Sequence, residues 1–260
     1  MEGLFPKLLQ WLPMLWWPFC RFIATLSVAP FVGETATPMR ARVAIALVLA
    51  MISAPAMRDM APIDPFSLAG IAAALGEVII GLLFGLSLQL VMVVLSLLGF
   101  LLSSQMALSM ATLNDPGNGS SSDVLSTLLY LFGALLFFAM DAHLVLVEVI
   151  YRSFALWPAG GGIPPQAMLQ VVLGVGWAMS AALLLALPAI FATFVVQIGF
   201  GLINRVAPAL NLFSLGFPLV TLFGLMTLTL VATLLPGHYV RLCQQIFGLW
   251  ERMLTGGALG

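Results

Sequence analysis

The sequence predicts an all-α, polytopic membrane-type protein, and three observations carry that prediction. Hydrophobic residues make up 62% of the chain and charged ones 7%, against roughly a quarter charged in an ordinary soluble domain. A soluble fold of this length needs far more charge to cover its surface. Charge is also missing over long stretches: none from Val78 to Asn114, from Val124 to Met140, or from Ala167 to Ile203. Finally, Pro- and Gly-bearing polar clusters divide the apolar runs, which marks where the chain turns. About six apolar segments result, read as long, kinked helices and helical hairpins.

Several function classes drop out at this level. A formal net charge of −1 leaves no basic patch for nucleic acid. Cys20 and Cys243 stand far apart in apolar or amphipathic settings and read as two buried thiols, with neither metal-ligand spacing nor a disulfide framework. There is no P-loop, no dinucleotide fingerprint, no His-Glu-x-x-His and no Cys-x-x-Cys. Gly174 and Gly176 lack a third glycine and a preceding strand, and neither His143 nor His238 is placed against a nucleophile. No catalytic residue, metal or cofactor is expected. No cleavable signal peptide stands out either, because Glu2 precedes Lys7, Pro13 and Pro18 interrupt the first run, and no clear Ala-x-Ala follows.

The first segment, Leu4 to Val32, is rich in Trp and Pro; Trp11, Trp16 and Trp17 suit an interfacial anchor or bulk packing at a contact. Arg21 falls inside it. An arginine near the centre of a span costs about 2.5–3.5 kcal/mol on insertion scales, so it lies near an interface or has a partner. Pro38, Arg40 and Arg42 open the next segment, Val43 to Met57, which is short for a span of about 20 residues. Arg58, Asp59, Pro62, Asp64 and Pro65 close it.

From Val78 to Asn114 a single helix extends about 55 Å at about 1.5 Å per residue, while the hydrocarbon core is about 30 Å thick. The segment is therefore tilted, broken, projecting or buried in protein, with Gly99, Ser103 and Ser104 as plausible break points. Ala73, Glu77, Gly81, Gly85 and Gln89 recur every four residues along one ridge. Gly81 and Gly85 form a small-xxx-small pattern that admits a neighbouring backbone. Glu77 on that ridge should meet a donor across the contact instead of lipid.

Between Gln105 and Asp123 lies the stretch around which the chain is organised: Met106, Leu108, Met110 and Leu113, then Asn114, Asp115, Pro116, Gly117, Asn118, Gly119 and Ser120. Pro116 ends the helix and the glycines accept positive φ. Two readings stay open: a surface loop, or a re-entrant segment whose methionines make a soft plug. Val124 to Tyr151 reads as the return helix. Asp141, Glu148 and Arg152 follow at spacings of seven and four, on one face, with Glu148 and Arg152 in the favoured order.

Pro158, Gly160, Gly161, Gly162, Pro164 and Pro165 make the clearest internal boundary. In the next run Pro188 is expected to kink or split the helix. Asn204, Arg205, Pro208, Asn211, Gly216 and Pro218 form a polar connection. Leu219 to Leu235 reads as the last span, stopped by Pro236-Gly237. Residues 238–254 then form an amphipathic helix for a membrane surface or a partner, with Leu242, Ile246, Leu249, Trp250 and Met253 on one side and Arg241, Gln244, Gln245 and Arg252 on the other. With six spans, Lys7, Arg58, Arg152, Arg241 and Arg252 would be cytoplasmic.

The ordered set resembles one family over nearly the whole chain: Arg21 with Ala29-Pro30, Pro38 with Arg40 and Arg42, Glu77 with Gly81, the Asn114-Asp115-Pro116-Gly117 loop, and above all Asn204-Arg205 through Pro208, Asn211, Gly216 and Pro218. It is similar to the FliR family, the flagellar members of the type III secretion export-gate subunits, which have a homologous subunit in virulence injectisomes. The resemblance implies one copy of this chain in a helical hetero-oligomeric gate with several copies of FliP and FliQ, next to FlhB and FlhA. It implies a FliP-like part over residues 1–160 and a FliQ-like part over 161–260. It implies an inner-membrane location in the flagellar basal body, with part of the assembly raised toward the periplasm. Unfolded rod, hook and filament proteins would pass, and the loop 106–122 would plug the closed pore. Arg21, Glu77, Gly81, Gly85, Asp141, Glu148, Arg152, Asn204 and Arg205 would then be subunit contacts or buried polar groups. A secondary transporter with a midplane site and a non-conducting membrane scaffold are the readings of a different class.

Overall fold

The computed structural model describes residues 4–33, 37–57, 63–106, 123–163, 165–206 and 216–256. Among these, regular structure is helical, with no strand. The helices are α1 (Leu4–Val28), α2 (Met39–Ser53), continued by a 3-10 turn at Ala54–Met57, α3 (Leu68–Gln105), α4 (Val124–Ala139), α5 (Ala142–Leu156), α6 (Pro165–Val206) and α7 (Phe217–Gly256). Among the described residues three helices, α3, α6 and α7, are long and apolar enough to cross a membrane, or four spans if α4 and α5 count as one bent pair. The sequence reading counted six apolar segments; α1 and α2 are the shorter or less apolar ones.

The start of α3 is written locally. Ser67 Oγ accepts the Gly70 N–H at 3.0 Å, the N-cap bond that a helix start needs. Asp64 Oδ1 accepts the Phe66 N–H at 3.0 Å and folds the chain into that cap.

At Gly99 to Ser104, at Pro236 and at Met140-Asp141 the helix boundaries differ from the sequence expectation, and at Pro188 the expected split does not occur. Gly99, Ser103 and Ser104 do not break α3, which runs 38 residues. Gly99 gives up its Cβ to packing, because Ser126 backbone atoms occupy that place. Ser103 and Ser104 turn their hydroxyls to Asp123 and to the Leu101 carbonyl. Pro188 lies inside α6 and Pro236 inside α7, and neither ends its helix. In apolar surroundings a full break strands many backbone groups, whereas an embedded proline sacrifices a single helical hydrogen bond. Conversely, the expected single return helix stops at Met140-Asp141, where the pair α4 and α5 bends by 66°. Asp141 takes a left-handed conformation, φ 54°, which Asp tolerates better than most residues. It therefore precedes α5 instead of sharing a helical face with Glu148 and Arg152.

The chain forms two compact units, each from separate segments. The first comprises Met1–Leu90, Phe137–Val175 and Cys243–Gly260. There α1 packs on α2, and Phe84 is the aromatic hub, stacked on Trp157 (5.7 Å between centroids) and edge-on to Trp250 (6.0 Å). The second comprises Val91–Leu136 and Gly176–Leu242. Its core includes Leu95, Leu98, Leu102, Leu129 and Leu235, with Tyr239 Oη near Met92 Sδ at 3.9 Å.

The C-terminal tail packs its apolar side inward. Ile246, Leu249, Trp250 and Met253 are buried and Gln244, Gln245 and Arg252 exposed, so the two faces are real. The apolar face is covered by the chain itself: Trp250 packs on Phe84, and its Nε1 donates to Ser87 Oγ at 2.5 Å.

Candidate functional site: a clasped loop stem and a buried arginine

In the second unit, both described ends of the 107–122 stretch are held. Met106 follows α3 directly and is 1% exposed. Its carbonyl accepts the Thr221 hydroxyl at 3.1 Å, and its side chain fills the place where a Cβ on Gly224 would stand. At the other end Asp123 caps α4. Its Oδ2 accepts the Ser126 N–H at 3.2 Å, the third position of the helix, as an N-cap aspartate should. Its Oδ1 accepts the Ser103 hydroxyl from α3. Ser126 Oγ lies 2.9 Å from the Ser96 carbonyl and 3.0 Å from Asp123 Oδ2. Gly99 lets the Ser126 backbone reach α3. A cap and an inter-helix bond thus converge on one carboxylate. Met110, Leu113, Asn114, Asp115, Pro116, Gly117, Asn118, Gly119 and Ser120 lie outside the described residues.

In the first unit, Arg21 on α1 is fully buried and Glu77 on α3 is 1% exposed. Arg21 Nε donates to Glu77 Oε2 at 2.7 Å and one terminal nitrogen to Glu77 Oε1 at 2.9 Å, a two-pronged pairing. The same terminal nitrogen donates to the Trp157 carbonyl at 2.8 Å, and the other to Ser153 Oγ at 2.7 Å. The guanidinium lies over the Phe154 ring, 4.1 Å from its centroid. One side chain therefore ties α1 to α3 and to the end of α5. Gly81 and Gly85 make the approach possible. A Cβ on Gly81 would strike the Arg21 carbonyl, and one on Gly85 would come within 2.6 Å of the Thr25 carbonyl. Glu77 also lines a cavity of about 360 Å³, with Ala73, Gly76, Ile80, Pro158 and Gly160 among its walls. The arrangement presents a neutralised ion pair that fixes helix register.

The remaining expected residues are scattered. Glu148 and Arg152 form a salt bridge at 2.6 Å, but both are more than half exposed, so it adds about 0–1 kcal/mol. Asp141 and Arg205 are exposed and Asn204 half-buried. His143 sits against the Phe137 and Phe138 rings, 6.3 and 5.6 Å away. Among the described residues no three His, Cys, Asp or Glu side chains gather as a metal site.

Sequence reasoning missed Ser153, the Trp157 carbonyl, Thr221 and Gly224. Only Asp123 with Ser126 three positions on carried a local signal, that of an N-cap. The others act through long-range contacts that no periodicity marks.

The family model described as bacterial export proteins, family 1, matches residues 12–246. The chain is 32% identical to the flagellar biosynthetic protein FliR of Pectobacterium carotovorum subsp. carotovorum, covering 95% of each chain. It is 29% identical to the FliR of Escherichia coli (strain K12), again over 95% of each. It is also 26% identical to the Yop proteins translocation protein T of Yersinia pestis, over 84% of this chain and 85% of the relative. Matching from the first helix to the last, with the buried Arg21–Glu77 pair and the clasped loop stem inside the matched region, the chain belongs to the bacterial export proteins, family 1, the family that includes flagellar biosynthetic protein FliR.

Proposed function

We propose that the chain is a subunit of the flagellar type III export gate, forming with FliP and FliQ the channel for unfolded rod, hook and filament proteins. In this reading the loop 106–122 stoppers the closed pore. The observation that carries the plug is the stem: Met106 and Asp123 are both fixed by side-chain hydrogen bonds. A loop that must return to the same seat needs such anchored ends. Met106, Met110 and Leu113 supply soft apolar contact, and Gly117 and Gly119 supply the joints. A passing unfolded chain displaces the loop without base, nucleophile or metal.

Partner subunits account for a second feature. The most apolar windows of α6 and α7 are only 22% and 17% buried within the chain. Such faces suit neighbouring FliP-like and FliQ-like helices as well as lipid, with FlhB and FlhA nearby, at the inner membrane and partly raised toward the periplasm. The division at residue 160 into FliP-like and FliQ-like parts belongs to the same proposal.

Deleting Ala111–Ser121 in the assembled gate is expected to raise ion leakage across the membrane. Conductance indistinguishable from the undeleted gate would remove the plug. The relative from Yersinia pestis supports an injectisome subunit as the second reading. Restored motility in a flagellar deletion strain, without restored effector secretion in an injectisome deletion strain, separates the two.

A further inference from the structure

Within the second unit, α6 and α7 enclose an open apolar groove of about 440 Å³, in the size range of ligand sites. Leu184, Pro188 and Ala192 line it from α6, and Thr227, Leu234 and His238 from α7. Among the described lining residues His238 is the one titratable group. Three observations say what fits it.

The first is length. From Pro218 to His238 α7 carries no charged side chain, and those 20 steps cover about 30 Å, the thickness of the hydrocarbon core. With α7 set along the bilayer normal and Pro218 at one interface, His238 falls at headgroup depth at the other. From Thr227 to His238 the groove runs about 16 Å, close to half of that core, the depth of one leaflet. The second is charge. No Asp or Glu occurs between Glu148 and Glu251, while Arg152, Arg205 and Arg241 do. Arg241 is exposed and follows His238 by three positions, on the same side of α7. The third is chemistry: the walls are almost wholly hydrocarbon, and the polar end offers donors to an anion. An acyl chain with a phosphate at one end has that pattern.

We propose that this groove binds one anionic phospholipid, its acyl chain between α6 and α7 and its phosphate against Arg241 and His238. This inference is independent of the plug.

The test uses the full chain in nanodiscs containing a phosphatidylglycerol with a photoreactive acyl chain, with adducts mapped by mass spectrometry. Adducts are expected on the Leu184–Ala192 and Thr227–Leu234 segments. Arg241→Gln should weaken phosphatidylglycerol labelling about fivefold, the weight of one cation near an anionic headgroup, and Arg241→Lys should restore it. Ala189→Trp, which fills the groove, should abolish these adducts. Because it changes packing, the surface variant Arg241→Gln decides the matter if Ala189→Trp fails to fold. Labelling unaffected by Arg241→Gln, equal labelling by a phosphatidylcholine probe, or protection of the groove by a co-purifying polypeptide would each overturn the proposal.

Discussion

A lone arginine inside an apolar segment is costly, and Arg21 is the residue where this chain answers that cost most completely. Its guanidinium makes four hydrogen bonds, two to Glu77 and one each to Ser153 and the Trp157 carbonyl. Removing one partner leaves the other buried and unanswered, which costs about 3–5 kcal/mol, whereas replacing both with packed apolar groups is often neutral. Glu77→Ala is therefore expected to lower thermal stability in detergent sharply and to weaken recovery of the export complex. Arg21→Met combined with Glu77→Leu should regain most of the loss in stability. If Glu77→Ala purifies with wild-type yield and melting temperature, the pair does not hold the fold. Arg21→Lys keeps the charge but loses the planar fork, so it should fall between these cases. That Arg21 and Glu77 needed partners was legible in the sequence, since each stands in an apolar run. That they are each other's partner was not, because 56 positions separate them and nothing in either segment encodes the other.

Among the three long apolar helices, α3 is the most buried. Gly85 has no space for a side chain before the Thr25 carbonyl, 2.6 Å from where its Cβ would lie. Gly85→Val should displace α1 and cost on the order of 1–3 kcal/mol, the usual range for overpacking, read as a lower melting temperature with unchanged helical signal. Gly76, where nothing lies within 4 Å of an added Cβ, is the matched control and should tolerate Ala. Asp123→Ala removes the α4 cap, worth about 0.5–2 kcal/mol, together with the bond from Ser103. It should raise protease sensitivity near residue 123; an unchanged cleavage rate would mean the clasp holds without the carboxylate.

The ridge from Ala73 to Gln89 could be read from its four-residue period, and its glycines do meet a neighbouring backbone. The helix ends were less readable. By local rule Pro236 looks like a stop and Pro188 like a kink or split, yet the surroundings penalise a break more than a lost bond. Asp141 looks like part of a charged face, yet it occupies the bend.

The molecule as a whole has too much outward apolar surface to be explained by its own core. Large exposed side chains line α6 and α7, including Leu184, Phe191, Leu202, Leu222 and Leu234. Composition alone foretold apolar surroundings; it did not divide them between lipid and protein. If the proposed gate is right, the tagged chain should purify at one copy with several copies of FliP and FliQ. A solitary monomer that conducts or transports a small solute would favour a secondary transporter instead.

The hydrogen bond between Trp250 and Ser87 joins residues 163 positions apart, and Phe84 lies in the same contact. During synthesis, then, the ribosome exposes Phe84 long before the residue that seats on it exists. The nascent chain must carry an unfinished core through insertion, and its last helical turns act as the closing wedge. A chain stopped after Phe247 should insert but remain open to protease in the first unit, however intact its earlier helices.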